Sequence, residues 1–189
     1  WPGVVKPGTV INDIFHHMDW MPTFLAAVGE PDVKEKLLKG HKAGDKTYKV
    51  HLDGYNQLPL LSGTGPGARH EIHFITDDGD YAAFRYNKWK LSFLTQDDNG
   101  MYIWDAPYVA HRFPLITDLR ADPFEYASRR GAVMVYEDWR IKHAFVVVPA
   151  LKFVGSFLAS FKEFPPRNKP ASFSVGDALK SLEAASTHH

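Results

Sequence analysis

The 189-residue sequence contains no cysteine, which excludes disulfide bonds, thiolate metal ligands and cysteine nucleophiles within it. It also has no excess of either charge, because 22 basic and 22 acidic side chains give a formal net charge of zero. Nucleic-acid binding proteins usually present a basic field to the phosphates. We therefore predict no nucleic-acid partner.

Long apolar runs and familiar catalytic motifs are also missing. The longest apolar run, residues 144–151, is interrupted by Pro149 and falls short of the ~18 residues that suggest a membrane-spanning helix. The sequence thus predicts no membrane span. Gly-x-Ser-x-Gly, a glycine-rich phosphate loop and His-Glu-x-x-His do not occur. We predict no catalytic residue and no metal ligand within this chain.

The first third of the chain predicts short helices separated by turns. Pro22 is a favourable first helical residue with Asp19 just before it, and Gly29 is a helix stop. Residues 31–38 predict a second helix, residues 10–15 a short strand and residues 40–45 a polar loop. The Gly- and Ser-rich residues 62–67 predict a linker.

The rest of the chain predicts an antiparallel sheet followed by a helix. Residues 71–76, 81–86, 89–94 and 114–119 have the length and alternation of strands at hairpin spacing. Residues 136–161 have helical periodicity, with four phenylalanines on one stripe and Pro149 marking a kink or a new helix. Residues 174–182 predict a last short helix. The fold class is α+β.

Three polar clusters are candidate sites, each with a plainer interpretation beside it. His51 and Asp53 would share one face of a strand and could face a substrate together with Tyr55, or they could be a solvated strand end. The cluster of His16, His17 and Asp19 could bind a metal or serve in acid/base chemistry, although Asp19 as a helix cap is the simpler interpretation. The acidic residues 77–80 could bind calcium, but Asp-Gly favours a hairpin turn.

Several motifs in order give the chain a resemblance to type I sulfatases. The opening Trp-Pro-Gly and Lys-Pro-Gly resemble a segment of that family, and so do three later stretches. These are His17-x-Asp19-x-x-Pro22-Thr23-x-Leu25-x-x-x-Gly29, Asp53-Gly54 through Leu61-Ser62-Gly63, and Leu119-Arg120-x-Asp122-Pro123-x-Glu125. Residues 161–173 also resemble the C-terminus of bacterial arylsulfatases.

The resemblance implies that the chain is a C-terminal fragment of an alkaline-phosphatase-like α/β sulfatase. Residues 1–63 would be the tail end of the α/β domain, and residues 68–189 would form a four-stranded antiparallel sheet packed on a long C-terminal helix. The family uses a formylglycine made from Cys or Ser in a Cys/Ser-x-Pro-x-Arg motif. Here the matching position holds Glu163, which cannot become formylglycine.

Two functions follow as expectations. In the first, the chain completes the fold and substrate cleft of an arylsulfatase, whose missing N-terminal domain carries the nucleophile and binds calcium. His51, Asp53 and Tyr55 would then face a small sulfate ester, and the full-length parent could be periplasmic or secreted. In the second, the chain is a free-standing sulfatase-derived binding module, with residues 101–108 as its contact surface.

Overall fold

The computed structural model describes residues 1–98, 100–129 and 133–166, so the helix predicted at 174–182 and most of the segment 161–173 lie outside the described residues. Two compact units are present. Unit 1 comprises residues 1–71 and 157–165, and unit 2 contains residues 72–156. The division into domains 1–63 and 68–189 stays a prediction.

Unit 1 is built from short helices and one small hairpin. Its elements are α1 (Trp20–Ala27), α2 (Val33–Lys39), β1 (His41–Ala43), β2 (Lys46–Tyr48) and α3 (Leu58–Ser62), with a 3₁₀ turn over His17–Asp19. Gly40 follows α2 with a φ of +103°, a conformation that favours glycine and ends the helix.

Three local expectations in unit 1 are wrong. Residues 10–15 form no strand, and the Val10 side chain is 80% exposed with no partner strand to bury it. The first helix begins at Trp20, two residues before Pro22, because the preceding 3₁₀ turn already supplies its first turn. The predicted loop at 40–45 forms most of a hairpin, in which β1 and β2 pair antiparallel around Gly44 and Asp45.

Unit 2 contains the four-stranded antiparallel sheet that the sequence predicts. Its strands are β3 (Glu71–Ile75), β4 (Tyr81–Tyr86), β5 (Trp89–Thr95) and β6 (Val109–Asp118), in that order across the sheet. The acidic residues 77–80 form the turn between β3 and β4, where Gly79 has a φ of +89°. The fourth strand starts five residues earlier than predicted, and Gly100–Trp104 form a 3₁₀ turn before it.

The core of unit 2 lies between this sheet and the C-terminal helices. The pairing of β4, β5 and β6 places Phe84, Leu91 and Ile116 in one row across the sheet. All three are at most 1% exposed. Ala150 and Val154 pack against this row, and so the predicted packing of sheet on helix is confirmed.

The C-terminal helical stretch is divided into two α-helices, and the second begins just before Pro149. α4 spans Val133–Lys142, a 3₁₀ turn spans Ala144–Val146, and α5 spans Val147–Glu163 with Pro149 in its first turn. The stretch Ala144–Glu163 has a mean hydropathy of 1.9 over its most apolar window and is, by length and composition alone, long enough to cross a membrane. The sequence expectation rests on the shorter apolar run at residues 144–151, which contains Pro149. Because one face of the helix packs on the sheet, we keep the absence of a membrane span as a prediction.

Candidate functional site

The candidate site lies on an extended segment of unit 1 between β2 and α3. This segment is not a strand, so the predicted strand geometry is wrong, but it does bring two of the three predicted residues together. The Nδ1 atom of His51 lies 3.1 Å from Oδ1 of Asp53, and both side chains are partly exposed. The pair therefore presents an imidazole and a carboxylate at the surface of unit 1.

Tyr55, the third predicted residue, lies two residues beyond Asp53 on the same extended segment and is less exposed than Asp53. Its hydroxyl donates a hydrogen bond to Oε1 of Glu71, and the ammonium of Lys34 lies 4.4 Å from the centre of its ring. Burial, with the Glu71 carboxylate adding to it, raises the pKa of Tyr55 to about 12. The hydroxyl is therefore protonated near neutral pH and acts as a hydrogen-bond donor.

A fully buried ion pair between Asp19 and Arg69 supports this segment. Asp19 is 0% exposed and Arg69 is 3% exposed. Nε of Arg69 donates to Oδ2 of Asp19 at 2.8 Å and its Nη2 donates to Oδ1 at 2.6 Å, which is the two-pronged geometry that carboxylates and guanidinium groups favour. The pair is thus both charge-balanced and well hydrogen-bonded.

This ion pair fixes the backbone that carries the predicted site residues. The same Nη2 atom of Arg69 donates to the carbonyl of Asp53 at 2.8 Å. The backbone N–H of Tyr55 donates to Oδ1 of Asp19, also at 2.8 Å. Between them, Gly54 lies so close to the 3₁₀ turn that an added Cβ would be 2.1 Å from the carbonyl oxygen of Met18. The chain is therefore anchored on both sides of a position that only glycine fits.

The pKa of Asp19 shows which interaction prevails at this buried position. Burial alone would raise it, but hydrogen bonds from Arg69 and from the backbone N–H groups of His16 and Tyr55 outweigh that effect and lower the pKa. Asp19 is therefore ionised at neutral pH despite its burial.

Sequence reasoning missed most of this support. The sequence predicts Asp19 as the cap of the following helix, but its side chain makes no capping bond to α1 and instead accepts the N–H of His16 at 2.9 Å. No motif in the sequence points to Arg69 or Lys34. Arg69 is 50 residues from Asp19 along the chain, so no local spacing could connect them.

Metal binding has no support among the residues that the structure describes. No group of three or more His, Asp or Glu side chains there is placed to hold an ion. Asp19 is committed to Arg69, and the Asp53 carboxylate faces His51. Calcium prefers six to eight oxygen ligands, and these residues do not supply such a set.

Comparison with known proteins identifies the fold of the chain. No family model matches the chain. In fold, it resembles the crystal structure of the PsFucS1 sulfatase from Pseudoalteromonas sp., with a TM-score of 0.63, 20% identity, and coverage of 89% of this chain and 30% of that one. The fold is therefore that of a region of an alkaline-phosphatase-like sulfatase.

Two curated proteins also match the chain in sequence. The chain is 31% identical to human arylsulfatase A in an alignment 144 residues long that covers 70% of this chain, and 34% identical to bovine arylsulfatase A in an alignment 136 residues long that covers 66% of it. It spans about a quarter of the length of these relatives, 25% and 24% respectively. The chain is a sulfatase C-terminal region, as its motifs predicted.

Proposed function

We propose that the chain is the C-terminal part of an arylsulfatase, a sulfuric ester hydrolase, and that it forms one wall of the substrate cleft. The observation that carries this proposal is the anchored segment at His51, Asp53 and Tyr55. The buried Asp19–Arg69 pair holds its backbone by hydrogen bonds. The His51 and Asp53 side chains remain 29% and 42% exposed. Rigid backbone with accessible polar side chains is what substrate positioning requires.

The chemistry of the segment suits a small sulfate ester. His51 offers a ring nitrogen held in place by the Asp53 carboxylate, which orients a histidine for hydrogen bonding. Lys34 lies half-buried beside Tyr55 and supplies positive charge near the segment. We infer that these groups orient the ester and do not themselves break the S–O bond, since no described side chain here pairs a nucleophile with a base.

The rest of the catalytic apparatus belongs, in this proposal, to a missing N-terminal domain. Members of the family that this chain resembles use a formylglycine nucleophile and depend on calcium, and the one position here that matches the motif for making formylglycine holds Glu163, neither Cys nor Ser. The reading frame upstream of Trp1 tests this directly. A Cys-x-Pro-x-Arg motif there supports the proposal, whereas a start codon immediately before Trp1 contradicts it.

The substrate-facing role has its own test in the protein translated from the complete reading frame. Replacing His51 by alanine is expected to raise KM for an aryl sulfate about tenfold, the effect of losing one hydrogen bond to a charged ligand. Asp53→Asn should have a smaller effect of the same kind. The matched control is His17→Ala, because His17 is exposed and lies outside the segment. Unchanged kcat/KM in both site variants would refute the role.

A second function is favoured by one specific observation in unit 2. The side chains of Met101, Tyr102 and Trp104 are 78%, 75% and 76% exposed, so the predicted contact surface at 101–108 is open to solvent. Aromatic side chains of this kind are enriched where proteins bind partners. A free-standing binding module would use this surface, and Trp104→Ala would then abolish binding to its partner without altering any sulfatase activity.

A further inference from the structure

A polar cavity lies on the face of the unit 2 sheet that is turned away from the core. Successive side chains of a strand point to opposite faces, so the neighbours of the core row point to this second face. In the antiparallel register Lys90 lies opposite Thr117 and Ser92 lies opposite Leu115, and all four line a cavity of about 320 Å³. Pockets for small ligands measure about 300–1,000 Å³, so this one has room for a small ligand.

Two buried hydroxyl groups on this face have no hydrogen-bond partner in the part of the chain that the structure describes. Ser92 and Thr117 are each only 7% exposed, and neither hydroxyl donates to or accepts from another described group. Both side chains line the cavity. Because nearly all buried polar groups in folded proteins are hydrogen-bonded, and an unpaired one costs free energy, these hydroxyls indicate a partner from outside the chain.

The walls of the cavity add aromatic surface and a charge pair. Phe74 and Phe124 line it, and the ammonium of Lys90 lies 5.2 Å from the centre of the Phe74 ring. The same ammonium donates to Oε1 of Glu125 at 2.6 Å. Glu125 has a φ of +56°, a left-handed conformation that is costly for a residue with a side chain and that clusters at ligand-binding sites. The turn after β6 thus holds the Glu125 carboxylate at the cavity in a conformation typical of a binding site.

The charges around the cavity are balanced, which argues against an anion as the ligand. Lys90 is paired with Glu125, and Nε of Arg129 lies 3.9 Å from Oδ1 of Asp97. An anion would therefore meet a carboxylate beside each cation. A wholly apolar ligand would leave the two hydroxyls unpaired. The lining favours a neutral ligand whose polar groups both donate and accept hydrogen bonds, as hydroxyl groups do.

We propose that this cavity binds one neutral pyranose ring, which carries hydroxyl groups around its edge and C–H groups on its faces. The ring hydroxyls pair with Ser92 and Thr117 and with the Lys90–Glu125 pair, so that every polar group of the lining has a partner. The C–H groups carry partial positive charge and lie against the Phe124 ring, whose face is negative. The inference concerns unit 2 alone and does not depend on the proposed sulfatase function.

Ligand-observed NMR titration of the 189-residue chain with methyl glucoside, methyl galactoside and methyl mannoside tests this inference. At least one of them should bind with a Kd of about 1 mM or lower. Sorbitol, an open-chain polyol, should bind more weakly because it loses more conformational freedom on binding. Maltose and lactose distinguish the sources of the ring. Binding as tight as that of the methyl glycosides indicates the end of a glycan, exclusion indicates a free sugar, and both agree with the inference.

The double variant Ser92→Ala, Thr117→Val removes both hydroxyls with little change of shape. It should weaken glycoside binding about tenfold or more, through the loss of two hydrogen bonds. Its melting temperature should not fall, because the hydroxyls have no partner among the described residues. The matched control, Thr47→Val, Ser156→Ala, removes the same atoms from exposed positions elsewhere and should change the affinity less than about twofold.

Five results would overturn the inference. They are no binding of any of the three glycosides, equal binding of sorbitol, unchanged affinity in the double variant, a lowered melting temperature of that variant, and displacement of the bound glycoside by sodium sulfate at constant ionic strength. The fourth would show that the hydroxyls are hydrogen-bonded within the protein, and the last would reassign the cavity to an anion. Because the readout is binding, failure here leaves the sulfatase proposal standing.

Discussion

The most deeply buried side chains of the two units differ in polarity. In unit 1 the most deeply buried side chains are polar, with Asp19, Thr23 and Gln57 all 0% exposed. In unit 2 they are apolar, with Phe84, Leu91 and Ile116 at most 1% exposed. Unit 1 therefore combines a buried ion pair and hydrogen bonds with apolar residues such as Val33, Leu37 and Leu60, whereas the most buried side chains of unit 2 are all apolar.

The difference shows what each unit is suited to do. Apolar burial is non-directional and gives unit 2 a stable scaffold. A buried ion pair fixes particular backbone atoms, here the Asp53 carbonyl and the Tyr55 N–H, in particular places. Unit 1 therefore has its polar interior where backbone precision serves the proposed cleft, and its stability should be more sensitive to single polar substitutions.

The largest effect is expected from breaking the ion pair. Asp19→Ala leaves the Arg69 guanidinium buried without its counter-charge and should lower the free energy of unfolding by about 3–5 kcal/mol. Urea denaturation measures the change. The matched control is Asp138→Ala, which removes an exposed partner of Lys142 and should cost less than about 0.5 kcal/mol. Similar losses in the two variants would show that burial of the pair is unimportant.

A slightly smaller effect is expected from a cavity in the apolar core. Leu91→Ala removes a side chain that is 1% exposed between Phe84 and Ile116. Such truncations cost about 2–5 kcal/mol through lost burial and residual cavity. Leu151→Ala, at a position 50% exposed on α5, should cost less than about 1 kcal/mol in the same denaturation experiment. A Leu91→Ala variant with an unchanged free energy of unfolding would contradict the assignment of this row as the core.

A moderate effect is expected from the buried hydrogen bonds by which Tyr136 of α4 joins β6. The Tyr136 hydroxyl accepts from the N–H of Ile116 at 3.0 Å and donates to its carbonyl at 3.1 Å. Tyr136→Phe leaves these buried backbone groups unpaired and should cost about 1–3 kcal/mol. Thermal denaturation against Tyr102→Phe, where the side chain is 75% exposed, isolates the hydrogen bonds. Equal melting temperatures would exclude them as stabilising.

The smallest effect on folding stability is expected from lowering the pH between 7 and about 5. The folded-state pKa of Asp19 is lowered, so its contribution is fully present above the unfolded-state value of about 3.9 and is lost as the pH falls through the folded-state value. Stability should hardly change from pH 7 to about 5 and should fall below about 4. Hydrogen exchange by mass spectrometry should show peptides around Asp19 and Tyr55 opening before those of β4 and β5. The reverse order would contradict the contrast between the units.

Much of unit 2 could be predicted from the sequence because its signals are local. Alternation in the strands needs only neighbouring residues, and Pro149 restarts the helix by its own geometry. In unit 1 the decisive contacts are distant. Asp19 and Arg69 are 50 residues apart, and the β1–β2 hairpin is exposed on both faces, so it shows no alternation of apolar and polar side chains. His51 and Asp53 lie together on an extended segment that is not a strand, and their substrate-facing role stays a prediction.

Hydrolysis of an aryl sulfate by the 189-residue chain, purified and supplied with calcium, tests the central claim most directly. A sulfatase C-terminal part that positions substrate but has no nucleophile of its own should show no turnover above the uncatalysed rate. Turnover that persists at constant specific activity through further purification, and that disappears in His51→Ala, would contradict the claim and place the catalytic residues within this chain.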